Sequence, residues 1–415
     1  MTFFLLIALG IILLQMPFVH HTAELCLLDA VFTSTSAVCV TGLTTMSTSG
    51  FNLAGQIILL VLIQLGAIGI MTLTSSLILF FRGDLALRMR VEAAQLSSSH
   101  SLREGVGILK IVIIYTFTME LIGFILLFIG FRRQGVALGD SLYHGIFHAI
   151  SAFCNAGFSP LDDSLIDSSM LIKGSVMMLI VSGGLGYYVI FDLWEYVKKR
   201  DRLSLYTKMV LLLTPCLIGT GAAALLFFEG PDLAFIDALF QSVTARTAGF
   251  YTVNLAALQP TSLLILIGLM IIGTAPGSTG GGMKITTFFV TILTFFQVVR
   301  GNRKIIICGR KLPIKTILRA FALLGFYLFL LAIGCLLLLY FEKMTFIATL
   351  FEMASALGTV GLSLGATETC GAAGKMILII AMFIGRIGPA LLVITLLKGN
   401  ETSHVDYPEE KIILG

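Results

Sequence analysis

Nearly unbroken apolar runs of helical length, such as Phe3 to Phe18 and Ala320 to Phe341, follow one another along the whole chain. About 20 such residues cross the hydrocarbon of a bilayer as one helix. Only 12% of the 415 residues are charged, half the share usual in a soluble domain, which leaves too little polar surface to face water. Barrels that span membranes show alternating strands of about ten residues instead. The expected class is therefore an all-α membrane protein. The first run lacks a basic leader and a small-residue exit and is read as a spanning helix, not a cleaved signal.

Between the runs one short pattern occurs four times, at Ser36 to Thr44, Ser151 to Ser159, Val243 to Tyr251 and Ser355 to Ser363. Each copy sets a glycine after small uncharged residues and before Leu or Phe. Phe32, Phe147, Leu239 and Phe351 stand ten residues before those glycines as apolar anchors. Every copy sits in a semi-polar stretch too short to span, flanked by two long apolar runs, and such a stretch reads as a re-entrant half-helix followed by extended backbone. The expected architecture is four helix–pore loop–helix repeats, residues 1–82, 106–200, 205–300 and 314–400, with eight spanning helices around one central pore in a single membrane domain.

Seventeen of the 27 Lys and Arg residues fall in the three connections, Arg82 to Lys110, Lys198 to Lys208 and Arg300 to Arg319. The re-entrant side carries acids, among them Glu24, Asp29, Asp140, Asp162, Asp163, Asp167, Glu229, Asp232 and Asp237. By the positive-inside rule the connections and both termini are cytoplasmic and the pore loops external. An acidic outer vestibule concentrates cations at the mouth.

Non-helical backbone at membrane depth survives only where protein buries it or where it lines an aqueous path. Glycine lets successive carbonyls face one way and replace the water shell of an ion, and the half-helix before it points its negative dipole end at a cation. A small-residue packing face explains one copy; four copies in register favour a pore. The expected filter is Val40, Thr41 and Gly42; Asn155, Ala156 and Gly157; Thr247, Ala248 and Gly249; and Thr359, Val360 and Gly361. Arg246, the one charge in these elements, reads as a structural pin, because a cation beside the path would repel the ion.

Two further constellations lie at membrane depth. The stretch Gly273 to Lys284 holds Gly273, Gly277, Ser278, Thr279, Gly280, Gly281, Gly282 and Lys284 around Pro276, and no continuous helix tolerates that density of Gly plus Pro. It reads as a gate that can occupy the pathway or leave it, against the plainer alternative of a packed kink. Arg386 stands in the middle of the last run, where a guanidinium needs water or a partner. It either faces the pore as a barrier or pairs with a buried acid, for which Glu120 and Asp192 are candidates.

The elements Thr41-Gly42-Leu43-Thr44, Cys154-Asn155-Ala156-Gly157-Phe158, Thr244-Ala245-Arg246-Thr247-Ala248-Gly249-Phe250 and Thr359-Val360-Gly361-Leu362-Ser363 resemble the four filter elements of the Trk/Ktr/HKT superfamily of potassium transporters. The resemblance covers nearly the whole chain. It lies nearer the KtrB branch, because the two extra N-terminal helices of the TrkH branch are missing. It implies a potassium-conducting subunit, a homodimer, a cytoplasmic nucleotide-binding regulatory ring of the KtrA or TrkA type, and sodium-stimulated uptake. Gly42, where sodium-passing members often carry serine, implies potassium. The Gly273 to Lys284 stretch is similar to the family's intramembrane loop, and an arginine in the setting of Arg386 also belongs to the resemblance.

His144 and His148 share a helix face without the acid of a zinc motif, so packing is the expectation. No nucleophile elbow or paired catalytic carboxylates occur, and neither an enzyme nor a nucleic-acid partner is expected; membrane lipid is. The competing reading is an alternating-access cation symporter, for which broken helices are also expected.

Overall fold

The computed structural model describes residues 2–19, 25–69, 100–199, 202–302 and 304–388. Glu24 of the expected vestibule and most of the connection after residue 69 lie outside them. The described chain is almost entirely helical: α1 Thr2–Leu14, α2 Leu27–Val38, α3 Leu53–Gly69, α4 His100–Arg133, α5 Leu138–Phe153, α6 Met170–Leu185, α7 Tyr187–Lys199, α8 Leu205–Glu229, α9 Phe235–Thr244, α10 Pro260–Ile271, α11 Ile285–Val299, α12 Ile314–Phe341, α13 Phe346–Gly358, α14 Ala366–Thr369 and α15 Ala372–Ile387. Two short strands, Ile306–Ile307 and Arg310–Lys311, make a hairpin between α11 and α12.

Among the described residues three helices, over Ile111–Arg133, Leu205–Asp232 and Ile314–Phe341, are long and apolar enough to cross a bilayer. They carry large apolar side chains to the surface, Phe227 80% exposed and Leu336 65%, while Ser34, Asn155, Thr247, Glu352 and Arg386 are buried inside. That inverted distribution suits lipid as the solvent. The other apolar helices, α1, α2, α3, α10, α11 and α13, are shorter.

The second apolar run of the second repeat, over 170–191, is not one straight helix. Helices α6 and α7 meet at 88°, with Gly186 between them at φ +82°. The freed carbonyls at the end of α6 explain the break: Gly184 accepts from the Ala275 amide and Gly183 from the Thr279 amide, both at 3.2 Å. A segment from elsewhere in the chain thus caps this helix end.

Glycines let these crossings close. A Cβ on Gly66 would strike the Val38 carbonyl, one on Gly183 the Phe153 carbonyl, and one on Gly385 the Leu357 carbonyl. In each case the helix that follows a glycine element, α3, α6 or α15, lies on the C-terminal turn of the helix that precedes it, α2, α5 or α13. Ion pairs tie the same helices to neighbouring half-helices, Lys173 on α6 to Asp237 on α9 and Lys375 on α15 to Asp29 on α2, both at 2.6 Å. Asp29 and Asp237 are therefore engaged in packing.

The crossings supply a paired test. Gly183→Ala should lower stability by about 1–3 kcal/mol, the usual cost of overpacking. Gly174→Ala on the same helix, where a Cβ meets nothing within 4 Å, should be neutral or stabilising by up to about 1 kcal/mol. Thermal unfolding of both variants in detergent checks the contrast, and equal midpoints would refute the packing account.

Candidate functional site

Each glycine element begins where a short helix stops. Helices α2, α5 and α13 end alike: the Val40, Asn155 and Thr359 amides donate to Ala37, Ala152 and Ala356, and the Thr41, Ala156 and Val360 amides reach back to Ser36, Ser151 and Ser355 at 2.8 Å. This is a Schellman ending, whose residue after the cap is left-handed. Val40, Asn155, Thr247 and Thr359 all have positive φ, 53°, 59°, 80° and 49°, and each stands two residues before its glycine. Gly42, Gly157, Gly249 and Gly361 are left-handed too. The residue between, Thr41, Ala156, Ala248 or Val360, is not, so handedness alternates along all four elements.

The helix hydroxyls hold the elements from behind. Ser36 and Ser355 accept the Gly42 and Gly361 amides at 3.1 Å. Ser151 and Thr244 donate to the carbonyls of Phe158 and Phe250, at 2.8 and 2.7 Å. Sequence reasoning assigned these hydroxyls no role, although the recurring Ser or Thr followed by Ala was available as a signal.

The third element corrects the expected register. Its buried anchor is Phe240 at 0% exposure, the counterpart of Phe32, Phe147 and Phe351, whereas Leu239 is only partly buried. The Ala248 amide accordingly reaches Thr244, four residues back rather than five. This copy has one residue fewer between hydroxyl and glycine.

The four elements close on one another. A Cβ on Gly42 would collide with the Ala156 carbonyl, on Gly157 with Ala248, on Gly249 with Val360 and on Gly361 with Thr41. Each glycine thus abuts the carbonyl before the next glycine, and the fourth returns to the first. On one side of this ring lies a cavity of about 420 Å³, lined by all four glycines and by Thr44, Asp162, Asp163, Tyr251, Ser363 and Glu368 among others. The Ser49 and Ser47 hydroxyls donate to Asp162 and hold its carboxyl below the usual carboxylate range, which keeps it charged at neutral pH. Of the acids expected in a vestibule, Asp162 and Asp163 reach the cavity. Glu229 instead accepts the Gln259 amide at 2.9 Å.

The residues from Ile272 to Lys284 run between α10 and α11 on the ring's other face. A Cβ on Gly280 would strike Thr247, and one on Gly281 would strike Thr359. The Gly281 amide donates to Thr359 Oγ1 at 3.0 Å, and Thr279 Oγ1 donates to the Phe153 carbonyl at 3.2 Å. Thr274 and Ser278 share a hydroxyl contact at 2.8 Å. The Gly273 amide donates to Met283, the Gly282 amide to Gly385, and the Tyr187 amide to the Gly277 carbonyl. The Tyr206 hydroxyl holds the Pro276 carbonyl at 2.7 Å.

Two cations fasten this segment. Lys284 Nζ donates to the Gly280 carbonyl at 2.6 Å. Arg386 is buried, and its guanidinium donates to the Thr279 carbonyl and, at 3.1 Å, to the Gly66 carbonyl. Its described bonds go to backbone oxygens; neither Glu120 nor Asp192 is among those partners. Arg246 is buried beside the Thr214 carbonyl at 3.5 Å, in a small cavity with Ile180, Val243 and Thr274. His148 exceeds the packing expected of it, since Nε2 lies 3.1 Å from the Ser159 hydroxyl.

Comparison with known proteins shows the family and the fold. The profile of the TrkH family, described as cation transport protein, matches residues 2–401. Ktr system potassium uptake protein B of Vibrio alginolyticus is 35% identical over 97% of this chain and 91% of its own length. The potassium/sodium uptake protein NtpJ of Enterococcus hirae is also 35% identical, over all of this chain and 95% of its own. The crystal structure of the potassium transporter TrkH from Vibrio parahaemolyticus superposes with a TM-score of 0.71 at 20% identity, covering 96% of this chain and 84% of that one, a likeness of fold. These matches are to membrane transporters and not to enzymes, and the chain belongs to the TrkH family of cation transport proteins.

Proposed function

We propose that the chain is the ion-conducting membrane subunit of a Ktr-type potassium uptake system. The observation that carries this reading is the closed ring in which Gly42, Gly157, Gly249 and Gly361 each abut the carbonyl before the next glycine. Four elements of alternating handedness present stacked carbonyl oxygens to one axis, and oxygens so arranged replace the hydration shell of a potassium ion. The C-terminal ends of α2, α5, α9 and α13 add negative potential at the same place. In this reading the chain forms four helix–loop–helix repeats and eight passes, α6–α7 and α10–α11 being interrupted ones. The basic connections face the cytoplasm and the acidic cavity faces outward.

The Ile272 to Lys284 segment acts as the gate. Its carbonyls are held by Lys284 and Arg386, and its amides bond α6, α15 and Thr359 of the ring, so a displacement of α6 and α15 moves it off the ring. Arg386 contributes twice, by fixing Thr279 and by placing positive charge beside the path, where a passing cation is repelled. The names of the relatives support a Ktr system with a second component. By resemblance that component is a cytoplasmic nucleotide-binding ring, the assembly is a homodimer, and sodium stimulates uptake.

Potassium, rubidium and sodium uptake by a transport-deficient cell expressing the chain tests this function. Potassium and rubidium uptake without obligatory exchange is expected. Uptake strictly coupled at fixed stoichiometry to a co-transported ion would instead support the alternating-access symporter.

Gly42→Ser puts a side chain at φ +95° against the Ala156 carbonyl. A left-handed non-glycine residue costs about 1–2 kcal/mol, so the preference for potassium over sodium should fall roughly tenfold. An unchanged preference removes Gly42 from the filter.

Arg386→Ala frees two carbonyls and deletes the fixed charge. Expression should persist, because no carboxylate is stranded, and potassium flux should rise by about tenfold, equivalent to roughly 1.4 kcal/mol of barrier. Poor expression that a second change at Glu120 rescues would refute this assignment.

A further inference from the structure

The register-corrected half-helices share a feature outside the ring. The residue after each buried phenylalanine is polar, Thr33, His148, Gln241 and Glu352, and all four are fully buried. Two of them reach the segment that follows the glycine. Glu352 accepts the Ser363 hydroxyl at 2.6 Å and the Leu364 amide at 2.9 Å through Oε1, and the Thr367 hydroxyl at 2.6 Å through Oε2. His148 Nδ1 is 2.8 Å from the His144 carbonyl, which can only accept, so Nδ1 carries the proton and Nε2 accepts the Ser159 hydroxyl.

Ser363 and Ser159 occupy the same place, two residues beyond Gly361 and Gly157. Each also accepts the amide two residues further on, Gly365 at 3.0 Å and Leu161 at 3.1 Å. The side chains of Thr33 and Gln241 make no hydrogen bond among the described residues. Since the ring runs from Gly42 through Gly157 and Gly249 to Gly361, the two tethered segments face each other across it. The Glu352 bonds all go to one stretch, and Ser363, Leu364 and Gly365 of that stretch line the mouth cavity. A carboxylate buried in hydrocarbon depth is retained only where its lone pairs are filled, as they are here.

We propose that Glu352 is a positioning residue that sets cation specificity, holding the segment after Gly361 so that the adjoining carbonyls cannot close in on a smaller ion, with the His148–Ser159 pair as its opposite post. The inference rests on the filter reading above. In the snug-fit account of carbonyl filters, discrimination against a smaller ion rests on surroundings that hold the oxygens apart.

The test measures sodium and potassium uptake by the full chain in lipid vesicles. Glu352→Ala should raise the sodium-to-potassium ratio about tenfold, the scale set by losing charge-assisted buried hydrogen bonds. Glu352→Gln should restore the parent ratio, because its amide oxygen can accept from Ser363 and Leu364 while its NH₂ donates to the Thr367 hydroxyl. A purely structural residue would lower both fluxes alike, and an unchanged ratio overturns the proposal. Should Glu352→Ala fail to reach the membrane, Ser363→Ala carries the decision: a raised ratio supports the assignment and an unchanged one overturns it. Gly42→Ser is measured in parallel. A shift there without a shift at Glu352 or Ser363 sinks this inference alone, whereas no shift at any of the three sinks the filter reading with it.

Discussion

Backbone that leaves helical geometry at membrane depth must find partners for its amides and carbonyls, because the surrounding hydrocarbon offers none. Between Ile272 and Lys284 the partners come from across the molecule. The C-terminal end of α6 accepts the Ala275 and Thr279 amides, Gly385 accepts the Gly282 amide, and Tyr206, Lys284 and Arg386 fill the carbonyls of Pro276, Gly280 and Thr279. The helix break at Gly186 is the other half of the same exchange, since it exposes the carbonyls that this segment needs. A side-chain cation suits such a place: a guanidinium donates to two carbonyls at once, as Arg386 does to Thr279 and Gly66, and its charge is partly spread by those bonds.

Within the ring the same requirement is met by near-repetition with local departures. Three half-helices end in the same two backbone bonds; the third, one residue shorter in its link, ends differently and carries Arg246. The hydroxyls at the helix ends split into adjacent pairs, Ser36 and Ser355 accepting glycine amides, Ser151 and Thr244 donating to the following carbonyls. The glycines meet almost identical neighbours while the supports behind them differ. A closed ring demands equivalence where backbones touch and tolerates variety one layer back.

What could be read from the sequence follows this division. Glycine spacing is visible because a Cβ at Gly42, Gly157, Gly249 or Gly361 would strike backbone, and the density of Gly and Pro over 273–284 excludes helix by propensity alone. The left-handed Val40, Asn155, Thr247 and Thr359 were not legible, since side chains disfavour that region and only the helix ending imposes it. Aligning the third copy by its glycine hid the shift that makes Phe240, not Leu239, the anchor. The break at Gly186 was hidden in an apolar run because its cause lies in another part of the chain. The carbonyl partners of Arg386 were not legible for a related reason: hydropathy registers the cost of a buried guanidinium and is blind to backbone carbonyls that can receive it.

The contacts that close the ring also join the two ends of the described chain. Lys375 pairs with Asp29 across 346 residues, and Arg386 reaches the Gly66 carbonyl across 320. The collision partner of Gly361 is Thr41, in the first element. Loop closure over such distances is entropically costly before any contact rewards it, so the first element has its final neighbours only when the last helix has packed. Each glycine is held left-handed partly by the next element, and the next by the one after. The geometry at Gly42 is therefore a property of the complete circuit, and it depends on the close helix crossings at Gly66, Gly183 and Gly385 that bring the circuit to closure.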